Sequence, residues 1–158
     1  AALGGPAMTA PARLGRYRVE RELGRGGMGV VYQAWDASLE RSVAIKVVAD
    51  EGADEPDQAS RLEREAKALA GLSHPNVARL WSLEEDGGAR RLLVMELVEG
   101  ETLTERLAHD RMPVDEVLAL AAQIAAGLEA AHEAGIIHRD LKGSNIKVAT
   151  DGSVKLTV

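Results

Sequence analysis

The chain has 158 residues, of which 46% are hydrophobic and 28% charged, with a formal net charge of −6. This length suits one domain or two small lobes with a true core, and the mild negative charge argues against a nucleic-acid partner, which would require a basic face. The chain contains no cysteine, which excludes disulfides and thiolate metal sites, and its alanine-rich stretch 117–131 is too short and too polar to span a bilayer. We therefore expect a soluble, cytoplasmic segment that makes no membrane contact of its own.

A glycine-rich segment follows the first predicted strand. Residues 1–15 are rich in Ala, Gly and Pro without periodicity, and we expect them to be a disordered lead-in. Residues 17–23 then alternate as a strand does, and the spacing G-x-G-x-x-G begins at Gly24, where missing side chains let backbone N–H groups approach phosphates. Residues 30–35 are β-branched and aromatic, which favours a second strand over the helix that a dinucleotide-binding fold needs. A plain hairpin turn is the alternative from this segment alone.

A lysine lies inside the next predicted strand. Residues 42–48 read Ser-Val-Ala-Ile-Lys-Val-Val, and an ammonium at Lys46 within such a buried run requires a compensating anion. The following helix has a capping-box pattern beginning at Ser60, and its apolar stripe includes Glu65. Glu65 is therefore expected on the buried face as the partner of Lys46, and Glu63 is the alternative, a solvated helix charge.

Further strands and helices follow in order. Residues 77–83 and 92–97 indicate two strands joined by a turn, and a short helix is expected from Thr102 to about His109. A longer helix over 115–135 carries an apolar stripe. Residues 146–149 and 154 onward then form a hairpin around a turn at 150–153.

A polar loop at 138–145 reads His-Arg-Asp-Leu-Lys-Gly-Ser-Asn between two apolar segments. Asp140 is a carboxylate that can accept a proton from an attacking hydroxyl, Lys142 is a nearby point charge, and Asn145 offers a carbonyl oxygen suited to a hard metal ion. Base, cation and metal ligand together indicate phosphoryl transfer. A surface salt bridge is the alternative for this loop in isolation.

These motifs, in this order, resemble the protein kinases. The loop is similar to the kinase catalytic loop H-R-D-L-x-x-x-N, Val-Ala-Ile-Lys is similar to the third-strand motif, and Gly-Gly-Met-Gly looks like the bacterial Hanks-type serine/threonine kinases. Gly143 stands where many relatives carry proline, a difference that we expect the loop to tolerate. The resemblance implies an α+β, protein-kinase-like fold: a disordered lead-in over 1–15, an N-lobe over 16–98 with a five-stranded antiparallel sheet and one helix, and the start of a helical C-lobe over 99–158.

The same resemblance assigns roles to individual residues. Asp140 would be the catalytic base, Lys142 would stabilise the transferring phosphoryl group, Lys46 and Glu65 would position the phosphates, and Asn145 would hold Mg²⁺. The hinge between lobes would run from Glu96 to Gly100. The expected ATP-binding residues are Leu23, Gly24, Gly26, Gly27, Gly29, Val31, Ala44, Lys46, Met95 as the gatekeeper, Glu96, Val98 and, as the adenine floor, Lys147. Most kinases have an apolar residue at this floor, where only the aliphatic stem of Lys147 can cover the ring.

The pattern departs from the family at position 158. The metal-binding Asp of the Asp-Phe-Gly motif is expected there, and the sequence has Val158. The family function is transfer of the ATP γ-phosphoryl group to a Ser or Thr of a protein substrate, with Mg²⁺. For this chain alone we expect little or no turnover and marginal stability. The alternatives are a nucleotide-binding pseudokinase scaffold and a nonfunctional truncated product. The parent protein could dimerise through its kinase domain or be anchored to a membrane by another segment.

Overall fold

The computed structural model describes residues 10–26, 29–49, 56–87 and 90–157. Gly27 and Val158 therefore lie outside the described residues. The first half of the described chain holds six strands and one α-helix, and the second half holds three short strands and two α-helices. The bounds are β1 Arg13–Leu14, β2 Tyr17–Gly26, β3 Gly29–Asp36, β4 Arg41–Ala49, α1 Pro56–Gly71, β5 Leu80–Asp86, β6 Arg90–Glu96, β7 Glu101–Thr102, α2 Leu103–His109, α3 Val114–Glu133, β8 Ile146–Val148 and β9 Val154–Leu156.

The first six strands form one antiparallel sheet in the order β1-β2-β3-β4-β6-β5. The expected sheet had five strands, and the additional strand is β1. It lies in the segment 1–15, which was expected to be disordered. Gly15 turns the chain at φ +51°, so that Leu14 pairs with Tyr17 and is completely buried. Burying a leucine in this way stabilises a fold by roughly 1.5–3 kcal/mol, which explains why these residues join the sheet.

The two faces of the sheet bury different side chains. One face holds an apolar cluster that includes Tyr17, Ile45 and Leu92, all fully buried. The other face receives α1, whose Ala66 packs against Leu80 and Leu93. Helix α1 begins at Pro56, so Ser60 lies within the helix and the expected capping box at Ser60 is wrong.

The second half is built around a three-stranded sheet, β7-β8-β9, against which α3 packs. Leu120 of α3 lies against the buried residues of the β8–β9 hairpin, which include Ile146 and Val154. Helix α2 begins with a capping box, in which Thr102 and Glu105 each accept a hydrogen bond from the backbone N–H of the other. The expected short helix is thus confirmed, and α3 covers most of the expected long one.

Residues 74–78, which lie between α1 and β5, hold the two halves together by hydrogen bonds. Asn76 accepts a backbone hydrogen bond from Leu156, and the Leu156 carbonyl accepts one from Ala78, both at 2.9 Å. The Asn76 side chain donates to the Val154 carbonyl at 2.9 Å and to Gln123 Oε1 of α3 at 3.1 Å. The expected strand over 77–83 is therefore displaced to 80–86, because its first residues bond to β9 instead of to β6.

Candidate active site

Asp140 is the centre of the site, on the loop between α3 and β8. Its Oδ2 accepts hydrogen bonds from Lys142 Nζ at 3.0 Å and from Asn145 Nδ2 at 3.2 Å, and the same amide nitrogen donates to the Asp140 carbonyl at 2.9 Å. The hydrogen bond from Lys142 and its charge, with the bond from Asn145, hold the pKa of this carboxyl below its ordinary value of 3.8. Asp140 is therefore an ionised, half-exposed acceptor at neutral pH. The loop brings the three predicted residues together.

The loop is tied to the end of β9 by its histidine and its asparagine. His138 Nδ1 accepts from the Asp140 N–H, so Nε2 carries the proton and donates to the Thr157 carbonyl at 3.0 Å. Thr157 in turn donates its N–H to the Asn145 carbonyl at 2.9 Å. Arg139 lies between His138 and Asp140, and its backbone has φ +59°, an unusual value for a residue with a side chain. These contacts give His138 a supporting role beneath the loop.

Lys46 on β4 faces this loop. Burial lowers its pKa from the ordinary 10.5, the carboxylate of Asp140 opposes that shift, and the ammonium of Lys142 adds to it. The charges of Asp140 and Lys142 on the loop therefore act electrostatically on Lys46. No described carboxylate lies within ion-pair distance of Lys46, so its charge is only partly compensated by the protein.

Glu65 does not lie on the buried face of α1, and that expectation is wrong. Ala66, with Leu62 and Leu69 partly buried beside it, forms the face that packs on the sheet. Glu65 stands at the edge of this stripe with half of its side chain exposed, and its Oε1 lies 3.8 Å from Arg139 Nη1. Glu63, the alternative, pairs with Arg91 of β6 at 3.1 Å. Neither glutamate therefore pairs with Lys46 in this arrangement.

Side chains expected around a nucleotide share the α1-facing side of the sheet. Val31 is the cross-strand neighbour of Lys46, and Ala44 is that of Met95. Leu23 lies at an irregularity in β2, where the register shifts between Glu22 and Gly24.

The glycines of the glycine-rich segment between β2 and β3 have different surroundings. Gly26 pairs with Gly29, and a Cβ added at Gly24 or Gly26 would meet open space. A Cβ at Gly29 would lie 2.1 Å from the Val47 carbonyl oxygen, at φ +130°. Gly29 is thus required by the close approach of β3 to β4, and Gly24 and Gly26 leave room above the sheet.

The expected hinge begins where β6 ends. The Glu96 N–H donates to the Arg79 carbonyl at 2.8 Å. Among the described residues, the backbone N–H and C=O of Val98 have no hydrogen-bond partner. Gly100 has φ +126°, and a Cβ there would lie 2.3 Å from the Val148 carbonyl oxygen. Lys147 is half-buried, and its Nζ donates to the Gly100 carbonyl at 3.4 Å.

The described residues do not complete a metal site. No group of three or more His, Cys, Asp or Glu side chains within them could hold a metal ion. Asn145 has its amide nitrogen committed to Asp140, so its Oδ1 is free to serve as one ligand. One amide oxygen falls short of the carboxylate ligands by which Mg²⁺ is usually held, even with phosphates and water.

Comparison with known proteins identifies the architecture. The family model described as the protein kinase domain matches residues 17–157, so the chain belongs to the protein kinase family. It is 46% identical over 145 residues to the serine/threonine-protein kinase pkn2 of Myxococcus xanthus, and 40% identical over 144 residues to the probable kinase PknB of Lactococcus lactis. It is 39% identical over 148 residues to PknA of Mycobacterium tuberculosis. Each match covers 90% of this chain.

Solved structures agree with the fold. The crystal structure of the Mycobacterium tuberculosis PknI kinase domain is 29% identical, with a TM-score of 0.79 over 96% of this chain. The predicted kinase-like fold and the predicted bacterial serine/threonine kinase family are thus confirmed. The chain spans 62% of the PknI structure and 17%, 23% and 34% of the lengths of pkn2, PknB and PknA. Protein kinases use ATP and a divalent metal ion. Within the described residues, no helix is both long and apolar enough to cross a membrane.

Sequence reasoning missed two contacts at the site. A Cβ at Gly143 would lie 2.5 Å from Thr104 Oγ1 and 3.2 Å from Thr104 N, so the start of α2 packs directly on the catalytic loop. Lys155 of β9 donates to Glu96 Oε1 at 2.7 Å across 59 residues of sequence. The glycine in place of the common proline was the available signal for the first contact. No local pattern indicated the second.

Proposed function

We propose that this chain carries the ATP-binding and catalytic-loop residues of a protein kinase that phosphorylates Ser or Thr. The observation that carries the proposal is the ionised carboxylate of Asp140, held by hydrogen bonds from Lys142 and Asn145. The charges of Asp140 and Lys142 also influence the pKa of Lys46. The names of the curated relatives, all serine/threonine-protein kinases, support the same class of acceptor.

In this proposal, each residue acts on one part of the transfer. The acceptor hydroxyl oxygen forms a bond to the γ-phosphorus, the bond from that phosphorus to the bridging oxygen breaks, and ADP leaves with the electron pair. Asp140 orients the hydroxyl and takes its proton. Lys142 neutralises charge on the transferring group, and Lys46 binds the α and β phosphates.

The adenine end of ATP would lie against the hinge. The backbone groups of Val98, which have no hydrogen-bond partner among the described residues, offer a donor and an acceptor to an adenine edge, and the carbonyl of Glu96 would be a second acceptor. Val31 and Ala44 would cover one face of the ring, with Met95 at its rear and the stem of Lys147 beneath it. The glycines from Gly24 to Gly29 would cover the phosphates.

The test is phosphoryl transfer by the full-length protein from labelled ATP to a Ser/Thr-containing acceptor protein. Asp140→Asn is expected to lower kcat by about 10²–10⁴ without weakening ATP binding, because general-base catalysis contributes that much. Lys46→Met is expected to weaken binding of ATP more than of adenosine, because the lysine acts on phosphates. The matched control Asp110→Asn changes an exposed aspartate at the end of α2, and it should alter neither kcat nor the affinity for ATP.

A nucleotide-binding scaffold is the second candidate function. The observation in its favour is that Glu65 is directed to Arg139, so the phosphate-positioning pair with Lys46 is not formed. Binding of ATP by the wild-type protein without transfer to any acceptor would establish the scaffold. Absence of nucleotide binding in the wild type would refute both candidates.

A further inference from the structure

The carboxylate of Glu96 is bonded on both oxygens. Its Oε1 accepts from Lys155 Nζ at 2.7 Å, and its Oε2 accepts from the Arg79 N–H at 3.1 Å. The backbone N–H of Glu96 donates to the carbonyl of the same Arg79. The side chains of Glu96 and Lys155 are each 26% exposed. A short, charge-assisted bond in such a partly buried setting is stronger than a surface ion pair.

Lys155 does not act alone on this part of the chain. Lys147, its cross-strand neighbour in the β8–β9 hairpin, donates to the Gly100 carbonyl at 3.4 Å. Two adjacent lysines of one hairpin therefore hold the two ends of the connection 96–100. Between those ends, Val98 keeps its backbone groups unbonded among the described residues. The connection is thus fixed at its ends and open to a ligand at its middle.

We infer that Lys155 is a positioning residue for the nucleotide, which acts by fixing Glu96 and hence the backbone groups that meet the adenine. The inference rests on the proposed function, since it requires that the connection bind a nucleotide. A connection fixed before binding loses less conformational freedom on binding, and this difference appears directly as affinity. The purely structural alternative is that the Glu96–Lys155 pair stabilises the fold without influencing the ligand.

The chain directly after strand β9 also reaches the loop at 138–145. Two residues after Lys155, Thr157 donates its N–H to the Asn145 carbonyl and accepts from His138. Strand β9 therefore contacts the expected hinge through Lys155, and the residue that follows the strand, Thr157, contacts the loop at 138–145. Because the Lys155 contact is with the hinge, its loss should raise the KM for ATP more than it lowers kcat.

The test uses the full-length protein and measures dissociation constants of adenosine, ADP and ATP by calorimetry. Lys155→Met and Glu96→Gln are each expected to raise the dissociation constants of all three ligands by the same factor, about three- to tenfold, because the pair acts on the adenine end. Lys155→Arg keeps the charge and should restore affinity to within about twofold. The double variant should bind no more weakly than either single variant, since both remove one interaction.

The matched control is Glu116→Gln, which removes the Arg106–Glu116 ion pair. That pair joins α2 to α3 at 3.0 Å, with side chains 25% and 36% exposed, so its burial resembles that of the hinge pair. Thermal melts of all variants show whether stability changes to a similar extent. The control should leave nucleotide affinity unchanged.

Unchanged affinity in Lys155→Met, with a melting temperature lowered as in the control, would overturn the inference and leave the proposed function intact. Weakening restricted to ADP and ATP would also overturn it, because the effect would then lie at the phosphates. Failure of the wild type to bind any nucleotide would instead refute the proposed function and the inference with it. If Lys155→Met does not fold, Glu96→Gln, a change of nearly identical shape, decides the question by the same criteria.

Discussion

Replacing Gly143 by alanine tests the packing of the catalytic loop on helix α2. The added Cβ would lie 2.5 Å from Thr104 Oγ1, roughly 0.9 Å closer than the 3.4 Å at which ordinary contact begins. It would also lie 3.2 Å from Thr104 N, which is tight without being prohibitive. Overpacking by one methyl group typically costs about 1–3 kcal/mol, and the loss of glycine's freedom in the unfolded chain offsets ~0.4–1 kcal/mol of that. We expect Gly143→Ala to lower the free energy of unfolding by about 1–2 kcal/mol.

A double-mutant cycle isolates the contact. Thr104→Ala removes the Oγ1 that the new methyl group meets, and Thr104 is exposed, so this change alone should cost little. In the Thr104→Ala background, Gly143→Ala should therefore cost no more than about 0.5 kcal/mol, which gives a coupling of ~1 kcal/mol or more. Urea denaturation of the full-length protein measures all four free energies. A phosphoryl-transfer assay on the same proteins reports whether the displaced loop also loses activity.

Gly71→Ala at the end of α1 is the control. A Cβ there meets nothing within 4 Å, so the substitution should be neutral or stabilising. The reasoning fails if Gly143→Ala is as well tolerated as Gly71→Ala. It also fails if Thr104→Ala does not recover the loss, because the cost would then arise from the backbone of the loop and not from the contact.

Two further predictions concern charge and hydrogen bonding. Because the hydrogen bond from Lys142 is the main cause of the lowered pKa of Asp140, Lys142→Met should raise that pKa, whereas the wild-type carboxyl should titrate below 3.8. A carbon-13 NMR titration of the Asp140 carboxyl measures both midpoints, and identical midpoints would contradict the assigned cause. Asn76→Ala removes the donor to the Val154 carbonyl and to Gln123, and should cost about 1–3 kcal/mol of unfolding free energy because two part-buried hydrogen bonds are lost, although Gln123 keeps the bond from the Val154 N–H. Urea denaturation checks this, and a loss below ~0.5 kcal/mol would show that water replaces the donor.

Local patterns predicted most secondary structure well. Strands β3 and β4 were expected over 30–35 and 42–48 and extend over Gly29–Asp36 and Arg41–Ala49, because runs of β-branched residues mark buried strands. Helix α2 was placed by Thr102, which caps it as expected. The start of α1 was misplaced at Ser60, because a capping-box pattern also occurs by chance within a helix.

The wrong direction predicted for Glu65 has a physical reason. The helical stripe of α1 correctly included Ala66 and Leu69, but it also included Glu65, which stands at the margin of that stripe. Periodicity gives the direction of a side chain only to within part of a helical turn, and at a margin the tertiary partner decides. Arg139, on a loop far along the chain, is that partner here.

The sequence by itself determined the family, and it predicted which residues form the candidate catalytic loop. Asp140, Lys142 and Asn145 lie within six residues of one another, so their mutual contacts depend on local backbone geometry. Only the tertiary structure decided which charges meet over long separations. It joined Lys155 to Glu96 across 59 residues, because sheet pairing and helix packing, and not sequence proximity, set the distances between such groups.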